Sequence, residues 1–98
     1  MKLEKFLEAH HLLVGKYRLP PMAVLMLSMV ADKWQTDEVT ITDMINNNPH
    51  ASQATAHKYI HLLIKKKILD VYTPADGRVK WLQAGTKYNE IQNLIAGL

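Results

Sequence analysis

Residues 52–67 read SQATAHKYIHLLIKKK, a stretch with a serine at its start, three lysines at its end and no acidic side chain. On a 3.6-residue wheel Ala56, Ile60 and Leu63 fall on one side, with Tyr59 beside them. Gln53, Thr55, His57, Lys58 and His61 are left on the other, mostly in the N-terminal half. Exposed donors and acceptors near the start of a helix are what reach base edges in a DNA major groove. Lysines bind phosphates with little geometric demand, and the absence of carboxylates removes repulsion from the backbone. The chemistry these residues suit is therefore binding to nucleic acid. The competing reading is a solvated amphipathic helix whose lysines, Lys65 to Lys67 above all, complement the helix dipole.

Other chemistry finds less support. His57 and His61 stand at i, i+4, a spacing that can pinch zinc on a helix face. The zinc-protease pattern needs a glutamate after the first histidine, and Lys58 stands there instead and would repel the metal. His10–His11 reads as a half-buried pair on a first helix. The chain has no serine–histidine–acid set, no paired carboxylates in an apolar setting and no glycine-rich phosphate loop. No enzymatic activity, cofactor or metal is expected.

The elements that must hold residues 52–67 emerge from periodicity and punctuation. LEKFLEAHHLLVGKY places Leu3, Phe6, Leu7, His10, Val14 and Tyr17 at three- and four-residue steps, an amphipathic helix with its acids early. RLPP breaks it, and Pro21 suits the first turn of a second helix running to about Trp34. That helix is apolar nearly all round, which implies burial on several sides, with Met22, Met26 and Met29 as core fillers. Val39 to Ile41 suggest a short edge strand. Thr42 is the expected N-cap of a brief helix, DMINNN, which Asn47, Asn48 and Pro49 stop. Ser52 then caps the next helix, so the pair makes a helix-turn-helix.

After Lys67 the period falls towards 2. ILDVYT and RVKWLQ read as strands around the turn PADG. TKYNEIQNLIAGL closes the chain with a stripe of Tyr88, Ile91, Leu94 or Ile95, and Leu98. The expected fold is mainly α (α+β): a winged helix-turn-helix with a two-stranded β wing and flanking N- and C-terminal helices. One domain over 1–98 is expected, with an N-terminal helix at 1–18, a winged-helix core at 20–84 and a C-terminal helix at 86–98.

Composition is consistent with this. The 48% hydrophobic and 21% charged make-up is that of a folded protein. Residues 1–43 carry five basic and six acidic side chains (−1), residues 44–98 seven and three (+4), which together give the net +3. The second half thus invites an anionic partner, although a solvated basic face has the same signature. The lack of cysteine fits a reducing, cytoplasmic setting. The longest apolar run, MAVLMLSMVA, is about half of what a membrane span needs, and the N-terminal acids and histidines are unlike a secretory signal.

SQATAHKYIHLLIKKKILD resembles the recognition-helix segment of MarR-type winged-helix regulators: a serine start, a threonine three on, then a leucine, a charged run and a short strand. DGRVKWLQ, with Asp76 and Arg78 at its tip, is similar to that family's wing. The similarity covers about 20–84, and it implies a homodimeric regulator that binds double-stranded DNA. Ser52, Gln53, Thr55, His57 and Lys58 would contact DNA from the helix and Arg78 from the wing. His61, Lys65 and Lys80 complete the candidate DNA-binding set. The chain departs from the family in several places. Lys67 stands where a glycine is usual, Ala84–Gly85 where leucine–threonine is usual, and Leu62 and Ile64 where charges are common. The last helix is also short.

A homodimer is expected independently, because an apolar second helix and striped terminal helices need cover that a chain this small seldom supplies. If dimerisation follows the resembling family, the first and last helices form the interface. The other readings are a winged-helix module that binds protein as an adaptor, and a DNA-binding protein of plasmid or phage replication control.

Overall fold

The computed structural model describes residues 3–75, 77 and 79–97, and of Leu3, Lys5 and Phe6 only the backbone. Five helices and one antiparallel hairpin run in the order α1 (Leu3–Lys16), α2 (Pro21–Lys33), α3 (Ile41–Asn46), α4 (Gln53–Lys65), β1 (Leu69–Tyr72), β2 (Trp81–Ala84) and α5 (Thr86–Ala96). The fold is mainly helical α+β. Pro21 opens α2, where its missing N–H has no partner to lose.

α2 is the central element, packed against α4 on one side and α1 on another. Ala23, Met26 and Val30 have no exposed surface, and Val24 and Leu27 are buried too. Met26 fills the core as its type suggests, and Asn48 from the turn before α4 donates to its sulfur at 3.1 Å. Met22 and Met29 are only partly covered. α4 lies over α2, α3 and β1, and Ala56, Ile60 and Leu63 are completely enclosed. Burial of a side chain such as Ile60 or Leu63 contributes roughly 1.5–3 kcal/mol each.

Several boundaries differ from the expectations. The short helix begins at Ile41 with Thr40, not Thr42, as its N-cap: the Thr40 hydroxyl accepts the Asp43 N–H at 2.9 Å. The cap competition is settled by backbone, since Thr40 is still extended (φ −96, ψ 156). The edge strand shrinks accordingly to an isolated Thr40–Trp81 bridge, with Val39 C=O accepting from Leu82 N–H at 2.8 Å. The second hairpin strand starts at Trp81 rather than Arg78, so the connection spans 73–80 rather than PADG alone. On α1 the core-facing residues are Ala9 and Leu13, while Leu7 is 48% exposed and His11 is exposed. The apolar stripe read from the sequence is thus rotated away from the core at Leu7. Leu98 lies outside the described residues, and on α5 Ile91 is the buried member of the stripe.

The end of α4 is a tight junction. Lys67 N–H bonds to Ile64 C=O at 3.0 Å and Ile68 N–H to Leu63 C=O at 3.1 Å, a Schellman motif. Its hydrophobic contact joins Leu63 and Ile68, both buried. The motif places Lys67 in the left-handed region (φ 65), where a glycine would be unstrained. Gly85 leans on this turn: its N–H bonds to Ile68 C=O at 2.9 Å, and a Cβ there would sit 2.2 Å from the Lys67 carbonyl oxygen. α5 can begin beside the end of α4 only because residue 85 has no side chain.

These two positions should respond with opposite signs. Gly85→Ala should cost about 1–3 kcal/mol, because the clash is with backbone that cannot rotate aside. Lys67→Gly should gain about 0.5–1 kcal/mol, the left-handed strain less the added unfolded-state entropy of glycine. Thermal denaturation observed by circular dichroism checks this, with shifts of several degrees in each direction.

Candidate nucleic-acid interface

The candidate residues are organised by α4, whose start is fixed by Ser52. Its Oγ accepts the Thr55 N–H at 3.2 Å and its hydroxyl donates to Thr55 Oγ1 at 3.0 Å. Ser52 is extended (φ −65, ψ 164), as an N-cap requires. Ser52 and half-buried Thr55 thus already hold each other and the helix start. Gln53, one residue into the helix, is exposed and makes no such contact.

The complete enclosure of Ala56, Ile60 and Leu63 sets the rotation of the helix. Gln53, His57, Lys58, His61 and Lys65 consequently all face solvent. The imidazoles of His57 and His61 lie one turn apart with ring centroids 4.2 Å from each other and planes tilted by 43°. Lys58 carries its ammonium 5.2 Å from the Tyr59 ring centroid, a cation–π contact that steadies a long side chain. Leu62 and Ile64 are half-buried against the core, which accounts for apolar residues at positions where the resembling family often has charges.

Lys80 joins this surface from the hairpin. Its carbonyl accepts the Ile41 N–H at 3.0 Å, which ties the base of the 73–80 connection to the start of α3. Its charge reaches His61: partial burial first, then His57 and then Lys80 push the His61 pKa below its ordinary 6.5. His57 and His61 therefore stand together on α4, and the Lys80 charge from the hairpin acts on His61. Arg78 and Asp76 lie outside the described residues.

The three lysines that end the basic run part company. Lys65 and Lys67 are exposed, whereas Lys66 folds back and donates to Tyr17 C=O at 3.3 Å. Tyr17 in turn donates to Glu90 Oε1 at 2.9 Å, so the ends of α1 and α4 are linked through it to the middle of α5. The α2–α3 connection is braced by a pair that no local pattern in the chain would join. Lys33 Nζ meets Asp43 Oδ2 at 2.6 Å, and Asn47 donates to Asp43 Oδ1 at 2.9 Å. The Lys33 and Asn47 hydrogen bonds hold the Asp43 carboxyl below its ordinary pKa.

No protein-family model, no curated protein and no solved structure matches the chain. Among the described residues no helix is long and apolar enough to cross a membrane.

The His61 environment has a consequence for stability. Its folded-state pKa lies below the unfolded value of 6.5, so the unfolded chain binds the proton more readily. The His61 contribution is therefore neutral to stability above pH 6.5 and becomes destabilising as pH falls through 6.5 towards the folded-state pKa. Urea midpoints at pH 7.5 and 5.0 should fall less in His61→Gln than in the parent. Equal falls would show that the imidazole is not held in its neutral form.

Proposed function

We propose that this chain is a sequence-specific double-stranded DNA-binding protein of winged helix-turn-helix architecture, a small transcription regulator that acts as a homodimer in the cytoplasm. The observation that carries the reading is α4: a helix without an acid, its inner line fully enclosed, whose outward side offers Gln53, His57, Lys58, His61 and Lys65. α3, the turn and α4 serve as the helix-turn-helix. The hairpin, with Thr40 bridged to Trp81 as a third short partner, serves as the wing.

In this reading Gln53 reads bases, since glutamine can pair with adenine N6 and N7, a discrimination of about 1–3 kcal/mol. Ser52 and Thr55 fix the helix start that presents it. Lys58, Lys65 and Lys80 neutralise phosphates, His57 and His61 add hydrogen bonds, and Arg78, outside the described residues, is a further candidate contact of this reading. Self-association is supported elsewhere on the molecule. Leu7 on α1 and Leu25 on α2 are 48% and 37% exposed. An apolar groove of about 600 Å³ runs between α1, α2 and α5, with Leu13, Leu27, Ile91 and Ile95 in its walls. A second copy would cover these surfaces and leave α4 free.

Mobility-shift titrations at several salt concentrations test the proposal. With about six phosphates neutralised per dimer, log affinity should fall against log salt with a slope of about −5. Lys65→Ala should weaken specific and random duplex alike and make the slope shallower by roughly one to two units. Gln53→Ala should narrow the ratio between a selected site and scrambled duplex while leaving the slope nearly unchanged. Affinity that stays flat with salt would overturn DNA binding. An intact specificity ratio in Gln53→Ala would remove Gln53 as a base reader.

A further inference from the structure

Away from the basic face, the outer side of the hairpin holds a cleft of a different kind. Its volume is about 360 Å³, and its walls include Trp34, Tyr72 and Trp81, with Asp37 and Glu38 at one side. These include both of the chain's tryptophans and, in Tyr72 at 54%, the most exposed large hydrophobic side chain among the described residues.

The sheet explains why they meet. Tyr72 and Trp81 are directly paired across the antiparallel ladder, so their side chains leave from the same face. Leu82 and Val39 point inward and are buried, which leaves Trp81 and Glu38 on the outer face. Trp34, the residue that ends α2, reaches the cleft from behind, its ring held edge-on by Tyr88 with centroids 5.3 Å apart.

Among the described residues no cation engages the carboxylates. The ion pairs among the described residues are Lys33–Asp43 and Lys87–Glu90, and neither includes Asp37 or Glu38. Asp37 accepts the neighbouring Glu38 N–H at 3.0 Å, and among the described residues no lysine or arginine lines the cleft. In a chain of net charge +3, an acidic aromatic cleft repels phosphate and suits the opposite kind of ligand. Aromatic faces attract a desolvated ammonium or guanidinium by about 0.5–2 kcal/mol each, and carboxylates at the rim add Coulomb attraction.

We propose that this cleft binds an organic cation through a single alkylammonium or guanidinium head group. β2 is bonded to β1 on one side and to Val39–Thr40 on the other, so no free edge is offered there to an added peptide strand. The volume lies at the small end of ligand sites and fits one head group with its stem rather than a segment of chain. The head group belongs either to a small free amine or to one lysine or arginine side chain of a partner. The site is separate from the α4 face, and its occupancy does not depend on DNA binding.

Tryptophan fluorescence reports on the cleft directly, because both indoles line it. The full chain is titrated with choline, with N-acetyl-lysine amide and with N-acetyl-arginine amide, at ionic strength held constant with sodium chloride. A neutral isostere, 3,3-dimethylbutan-1-ol, is the control. Saturable quenching or spectral shift by at least one cation, absent with the isostere, is expected. Preference for choline assigns a small free alkylammonium, and preference for either amide assigns a side chain. Asp37→Asn with Glu38→Gln should weaken binding about ten-fold. Tyr72→Ala should weaken it several-fold, and Tyr72→Phe should restore it. Both sets are at exposed positions, and unchanged circular dichroism verifies folding. A response that does not saturate, an equal response to the isostere, or undiminished binding by the carboxylate variant overturns the proposal.

Discussion

The enclosure of one line of α4, Ala56–Ile60–Leu63, is the constraint on which the surface of this protein depends. A helix buried along one line has no freedom to roll, because a turn of about 100° per residue would bring Lys58 or His61 into an apolar core. α2, α3 and β1 supply the three sides of that socket. With the roll fixed, every basic and histidine side chain of α4 is committed to solvent on a single side. The DNA-binding reading rests on the presented surface, and the presented surface rests on three small-to-medium apolar residues.

The same helix sets the position of β1 and α5. The Schellman turn at its end directs the chain from Leu63 into Ile68 and then into β1, and Gly85 brings α5 against the backbone of Lys67 and Ile68. Lys67 accepts a left-handed conformation to do so. Charge is segregated around this frame. His57, Lys58, His61 and Lys65 share one side of α4, while Asp37 and Glu38 stand with the aromatic residues on the outer face of the hairpin.

Much of this was legible in the sequence because it depends on local patterns. The Ser52 cap, the inward triplet of α4 and Pro21 in the first turn of α2 each come from a few adjacent residues. The mainly helical α+β order with one late hairpin was legible in the same way. What was missed depends on partners distant in sequence. Thr40 outranks Thr42 as a cap because it is held extended by its bridge to Trp81, forty-one residues on. The Lys33–Asp43 pair needs the α2–α3 turn to close, and the cleft of Trp34, Tyr72 and Trp81 needs a register that alternation alone does not reveal. Arg78, the wing residue implied by resemblance, lies outside the described residues.

Amide chemical-shift mapping with duplex DNA tests the central claim most directly, because it reports where the duplex lies rather than only whether it binds. The expected result is a set of perturbed amides concentrated at 52–65 and near Lys80, with the α1–α2–α5 groove and the Trp34–Glu38 side of the cleft unperturbed. Perturbations centred on α1, α5 or the acidic cleft, with α4 silent, would contradict it.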